Sequence, residues 1–161
     1  MLLRRFALTA LAGFAWTAAI GPAQTTSSTV TRSFDFPPVG LASSETAQVN
    51  VVNTASASSS GTAASCTGSI SFVNSTGATI GTATSFTVGS GQISSVSLPF
   101  TKTAATGGRT EVRGVVSLTI TSGSTAPCAL TTSFETYDTT TGVTHVYLTQ
   151  AGAIDVHVGR D

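Results

Sequence analysis

The stretch from Arg109 to Thr121, RTEVRGVVSLTIT, is the longest clean alternation in the chain. Val112, Gly114, Val116, Leu118 and Ile120 fall on one side. Glu111, Arg113, Val115, Ser117 and Thr119 fall on the other. Successive side chains leave a strand on opposite faces, so a period of two marks an extended strand with one face on a core. A strand this long belongs at the centre of a sheet. The rest of the chain is expected to supply shorter strands beside it and across from it.

The order of those strands can be followed along the sequence. Thr31 to Phe36 is a first strand, with Phe34 and Phe36 on one face, and Pro37-Pro38 ends it because neither proline can donate to a ladder. Residues 39–45 read as a connection. Thr46 to Asn53 is a second strand with Val49 and Val51 inward and Gln48 and Asn50 outward. Residues 53–65 are rich in Ser, Ala and Gly, lack any period and read as a loop. Cys66 opens a third strand with Ile70 and Phe72 inward, and Asn74 to Gly77 turns it into a fourth, residues 78–88. Gln92 to Phe100 is a fifth strand, and Pro99 places it at an edge or ends it there. After the loop 101–108 and the long strand comes 122–127, then a seventh strand, Ala129 to Asp138. Thr139 to Gly142 is a turn, and Val143 to Thr149 pairs back as an eighth strand that Gln150 to Gly152 breaks. Ile154 to Val158 is a short last strand or tail.

Seven to nine short strands, glycine-rich turns and no helical period after the first twenty residues predict an all-β chain. The favoured architecture is an immunoglobulin-like antiparallel β-sandwich, with an up-and-down barrel as the alternative.

The first residues read differently. Arg4 and Arg5 precede an apolar run from Phe6 through Ala19, and Gly21 and Ala23 follow. That is the layout of a secretory signal peptide, cleaved after Ala23, and the run is short for a bilayer span. The expected domains are therefore residues 1–23 as signal peptide and 24–161 as one β-sandwich domain. Cleavage lowers the basic count from seven to five against seven acids, a formal charge of −2, and removes Trp16. No basic patch remains to hold nucleic acid, and no later apolar stretch is long enough to span a membrane. Cys66 and Cys128, an even pair in an exported chain, read as one disulfide. In the chain-entropy account a loop of 62 residues gives roughly 4 kcal/mol. In immunoglobulin-like order the third and seventh strands flank the long one. The two cysteines then sit at one end of a single sheet, and the segments before them lean together.

The run GLASSETAQVNVVNTA, the hairpin CTGSISFVNSTGATIGTATSFTVGSGQISSVSL, the strand TEVRGVVSLTI and the segment CALTTSFETYDTTTGVTHVYL together resemble a layout that recurs among secreted bacterial Ig-like β-sandwich proteins. The resemblance covers most of residues 40–148. It implies the sandwich and brings no activity with it.

Catalytic chemistry finds little purchase. No G-x-S-x-G is present for a serine hydrolase, and no H-E-x-x-H for a zinc protease. A metal site of His145, His157 and Asp155 is conceivable if the last two strands pair, but the spacing is no known ligand signature and two surface histidines are preferred. Glu111 and Glu135 could oppose each other as a glycosidase pair. An Arg113–Glu135 cross-strand ion pair is the preferred use of those residues. Asp138 reads as a turn residue and Asn74-Ser75-Thr76 as a turn, though the latter matches a glycosylation triplet. Tyr137 and Tyr147 are the only tyrosines, and hairpin packing is preferred over a sugar platform.

The sequence thus points to an exported, non-enzymatic protein, secreted, periplasmic or at the cell surface, with a structural, adhesive or assembly role. The alternative is a soluble extracellular binding module for a polysaccharide or another exported protein. No catalytic residue, metal ligand or cofactor is assigned; association is expected either through loops at one end (53–65, 101–108 and 122–127), tied by Cys66–Cys128, or through exposed strand edges that add to a partner's sheet.

Overall fold

A computed structural model describes residues 29–56, 65–121 and 128–152. The expected signal peptide and the tail 154–158 lie outside them. Nine strands lie among the described residues: β1 (Thr29–Asp35), β2 (Val39–Ala42), β3 (Glu45–Asn53), β4 (Ser65–Asn74), β5 (Thr79–Gly89), β6 (Ile93–Pro99), β7 (Arg109–Thr121), β8 (Leu130–Asp138) and β9 (Thr144–Gly152). They form two contacting antiparallel sheets. One runs β1-β7-β4-β5, with β2 also on β7; the other runs β6-β3-β8-β9. This is a sandwich and not a closed barrel.

The long alternating stretch is central, as its length required. β7 pairs with β4 on one side and with β1 and β2 in succession on the other. Residues 39–45 are therefore not simply a connection. Val39 to Ala42 rejoins the β7 ladder after the prolines, while the Phe36 N–H keeps a bond to the Gly114 carbonyl, 3.0 Å. Pro37 and Pro38 cost the ladder two donors and divide one edge into two strands. β9 likewise continues through Gly152, paired to Leu130, where a break was expected. A glycine does not end a strand whose neighbour still offers ladder partners.

The inward faces match the alternation. Val49, Val51, Ile70, Val116, Leu118 and Phe134 are fully buried. Phe134 of one sheet packs against Phe36 and Phe72 of the other, with centroids 5.5 and 6.4 Å away. Gly114 faces this cluster. A Cβ there would stand 2.5 Å from Val49 Cγ2, so glycine sets how closely the sheets approach. Gly77 (φ 82°) closes the β4–β5 turn in the left-handed region, as the sequence suggested.

The immunoglobulin-like placement of the third and seventh expected strands is not found. β4 does flank β7, but β8 lies in the opposite sheet between β3 and β9. The Cys66–Cys128 disulfide forms, with Cα atoms 5.4 Å apart. It joins the two sheets at one end of the sandwich instead of bridging neighbours within one. Three loops were expected at a single end. Segments 53–65 and 122–127 do begin or end at strand termini on the disulfide end, but 101–108 follows β6 where Pro99 pairs with Thr46, at the opposite end.

Candidate functional site

The outward face of the β6-β3-β8-β9 sheet carries the most organised polar chemistry. The registers set Ser97, Gln48, Glu135 and Tyr147 in one row across four strands, and Ser95, Asn50, Ser133 and Thr149 in the next. Gln48 and Asn50 are the residues that the alternation of β3 sends outward, opposite the buried Val49 and Val51. They converge on one carboxylate oxygen. Gln48 Nε2 and Asn50 Nδ2 donate to Glu135 Oε1 at 3.1 and 3.0 Å. Ser97 Oγ donates to Gln48 Oε1 at 2.8 Å and Ser95 Oγ to Asn50 Oδ1 at 2.6 Å. Tyr147, 61% exposed, flanks the network opposite Glu135. These bonds hold the amide and carboxylate groups in fixed orientations on one face of the sheet.

The other outward face is simpler. Thr31, Thr119, Thr67 and Thr87 form one row across β1, β7, β4 and β5. Ser33, Ser117, Ser69 and Ser85 form the row beside it. Both faces thus present hydroxyls and amides with few charges.

At the end away from the disulfide, Glu45 is buried although it is charged. Its Oε2 accepts the Ala42 N–H at 2.7 Å, and its Oε1 meets His145 Nδ1. Burial works to raise the Glu45 pKa; the Ala42 N–H and His145 outweigh it, and the carboxyl is held below its ordinary value. The contact spans from β3 to β9 past β8 and ties the sheet edge to the β2–β3 turn. Asp138, in register with Glu45, caps the next turn. Its Oδ1 accepts from Thr141 N–H (2.7 Å), Thr141 Oγ1 (2.9 Å) and Thr140 N–H (3.0 Å), and these bonds lower its pKa.

Neither protein-family models, curated proteins nor solved structures match this chain.

The site residues suggested by the sequence separate as follows. His145 meets Glu45, whereas Asp155 and His157 lie outside the described residues. Among the described residues no three His, Cys, Asp or Glu side chains gather to hold a metal. Glu111 and Glu135 occupy different sheets, so neither a carboxylate pair nor the expected Arg113–Glu135 ion pair forms. Glu111 pairs instead with Arg109, 3.2 Å away. Both groups are well exposed, and pairs of that kind contribute about 0–1 kcal/mol. A cleft of about 460 Å³ lies between Pro38, the Asn74–Gly77 turn and Glu111–Arg113. Asn74 is taken up by that turn: its Oδ1 accepts from Thr76 and Ala78. Sequence reasoning missed the polar network and the Glu45–His145 contact. Alternation had already sent Gln48, Asn50, Ser95, Ser97 and Glu135 outward. Which of them share a row depends on register between distant strands, and no local signal gives that.

Proposed function

We propose that this protein is an exported, non-enzymatic structural or adhesive component that assembles through its strand edges. The observation that carries this reading is a margin of the sandwich left open among the described residues. β5 packs against β6 at one side, which leaves β1 and β9 at the other. There Val30 is 52% exposed, and Phe34, Val146 and Leu148 are only half-buried. A sheet edge beside uncovered apolar side chains invites an added strand. Export is supported by the basic-then-apolar start and by a disulfide between sheets, which suits an oxidising compartment. The test is to recover the protein from its host and measure its size without reducing agent, in the medium and in the cell-surface fraction. A large surface-bound assembly supports the proposal, and a free monomer in the medium rejects it.

One observation favours a second reading. The amide–carboxylate network around Glu135, with Tyr147 beside it, offers a neutral polyhydroxylated ligand such as a polysaccharide both hydrogen bonds and one aromatic face. Retention on insoluble polysaccharides, weakened by Tyr147→Ala, is the measurement that supports it.

A further inference from the structure

Three of the four sheet edges carry features that discourage pairing. β1 is exposed on both faces except at Phe34, bears Arg32 and ends at Asp35, just before Phe36 and Pro37-Pro38. β6 ends at Pro99. β5 is irregular, with Gly81 at φ 70° and a register shift opposite Ile70 and Phe72. Charge, proline and irregularity are the usual means of blunting an edge. β9, THVYLTQAG, is nine residues long and carries no Lys, Arg or Pro. Its irregularity is confined to its first residues, beside Tyr137. Its inward side chains Val146 and Leu148 stand half-covered at the core margin.

The sequence that follows β9 is AIDVHVGRD, in which Ile154, Val156 and Val158 alternate with Asp155 and His157. This is the period of a strand with one apolar face. It does not suit the chain's own edge. A two-residue return at Ala153-Ile154, the tightest that leaves Gly152 in the ladder, would set Asp155 opposite Gly152, Val156 opposite Ala151 and Val158 opposite Thr149. In that register Val156 and Val158 share Tyr147's outward face, and Asp155 and His157 turn to the core, because a strand's faces alternate strictly. A three-residue return corrects the face but leaves Ile154 in the turn. A segment from another molecule has no such constraint and can present all three apolar residues to the margin.

We infer that residues 154–158 of one copy add as a strand along β9 of a second copy, with Ile154, Val156 and Val158 covering Val146 and Leu148. The inference rests on the assembly reading and specifies its contact. Each copy offers one tail and one edge, so two copies can exchange tails reciprocally or the contact can continue head-to-tail into longer chains.

The experiment compares the full chain purified from its host, its Val156→Asp variant and a chain ending at Gly152. Size is measured by light scattering over a wide concentration range, with folding checked by circular dichroism. A labelled peptide of residues 152–161, and its Val156→Asp analogue, are titrated against the shortened chain. The expected result is concentration-dependent oligomers of the full chain, lost in both variants. The shortened chain then binds the peptide, and the analogue at least about tenfold more weakly. A monomeric full chain whose shortened form still binds the peptide overturns the inference, because the tail then covers its own edge. Oligomers that persist in both variants overturn it while leaving assembly standing. Monomers throughout with no peptide binding overturn both.

Discussion

Gly114→Ala tests the account of how the sheets meet. Gly114 lies mid-way along β7 on its buried face. The added methyl would stand 2.5 Å from Val49 Cγ2, 3.4 Å from Phe36 Cδ2 and 3.5 Å from Phe134 Cδ2. The second and third distances are ordinary close contacts, but the first requires movement. Val49 is fully buried and β-branched, so it has no empty space or easy rotamer to move into. Forcing an extra methyl into a packed core costs about 1–3 kcal/mol. For a domain of this size that corresponds to a fall in Tm of roughly 4–12 °C. Urea unfolding followed by far-ultraviolet circular dichroism measures it, with the midpoint moving and the slope unchanged. The decisive control is Val49→Ala. That change alone destabilises by about 2 kcal/mol, yet it removes the clash, so Gly114→Ala made on top of Val49→Ala should cost less than half as much. If Gly114→Ala is neutral, or costs the same with Val49 present or absent, glycine does not set the sheet spacing and the reasoning fails.

Other measurements probe separate parts of the fold. Thr136 is fully buried with its Oγ1 unpaired, so Thr136→Val should raise stability by about 1 kcal/mol in the same urea assay. Cys66→Ala with Cys128→Ala should lower it by about 4 kcal/mol, and dithiothreitol should shift the wild-type midpoint alone. Glu45 and Asp138 both have folded pKa values below their ordinary ones. The native state therefore binds fewer protons than the unfolded chain, and the stability these groups supply is present above about pH 4.5 and lost as pH falls through the folded values. Glu45→Gln should be less stable than wild type at pH 7 and lose less between neutrality and acid. Equal slopes in the two pH–stability curves would refute that assignment.

Much of the architecture is legible because burial imposes a period. The alternation of Val112 through Ile120 and of Val49 and Val51 fixed which side chains enter the core. Pro99 marked an edge or the end of a strand, and β6 is an edge that ends there; Gly77 marked a hairpin turn, both from backbone chemistry alone. The errors have a common origin. Whether β8 lies beside β7 or across from it depends on which of two apolar faces β7 meets first, and both choices bury Leu130 and Phe134 equally well. With that neighbour wrong, the Arg113–Glu135 pair followed, since strand partners determine which charges oppose. Val39 to Ala42 was hidden by its shortness and by the prolines before it. The Glu45–His145 contact joins residues a hundred positions apart and has no local signature.

The distribution of charge bears on how such a sandwich can associate. Both outward faces are covered by Ser, Thr, Asn and Gln, with Glu135 already accepting two amide donors. Faces of that kind supply few ionic contacts to steer or repel a partner, so association through them rests on shape and on hydrogen bonds that already have partners within the sheet. A strand edge differs, because its backbone N–H and C=O groups are paired on one side only and each added residue satisfies more of them. The disulfide strengthens this asymmetry. It fastens the two sheets at one end, while Glu45 and His145 tie the start of β9 at the other. Releasing that tie with His145→Ala should loosen the first residues of β9 while leaving Leu148 paired with Phe134. Hydrogen exchange read residue by residue distinguishes this from a domain-wide loss: faster exchange confined to residues 144–146 fits the argument, and uniform acceleration across both sheets contradicts it.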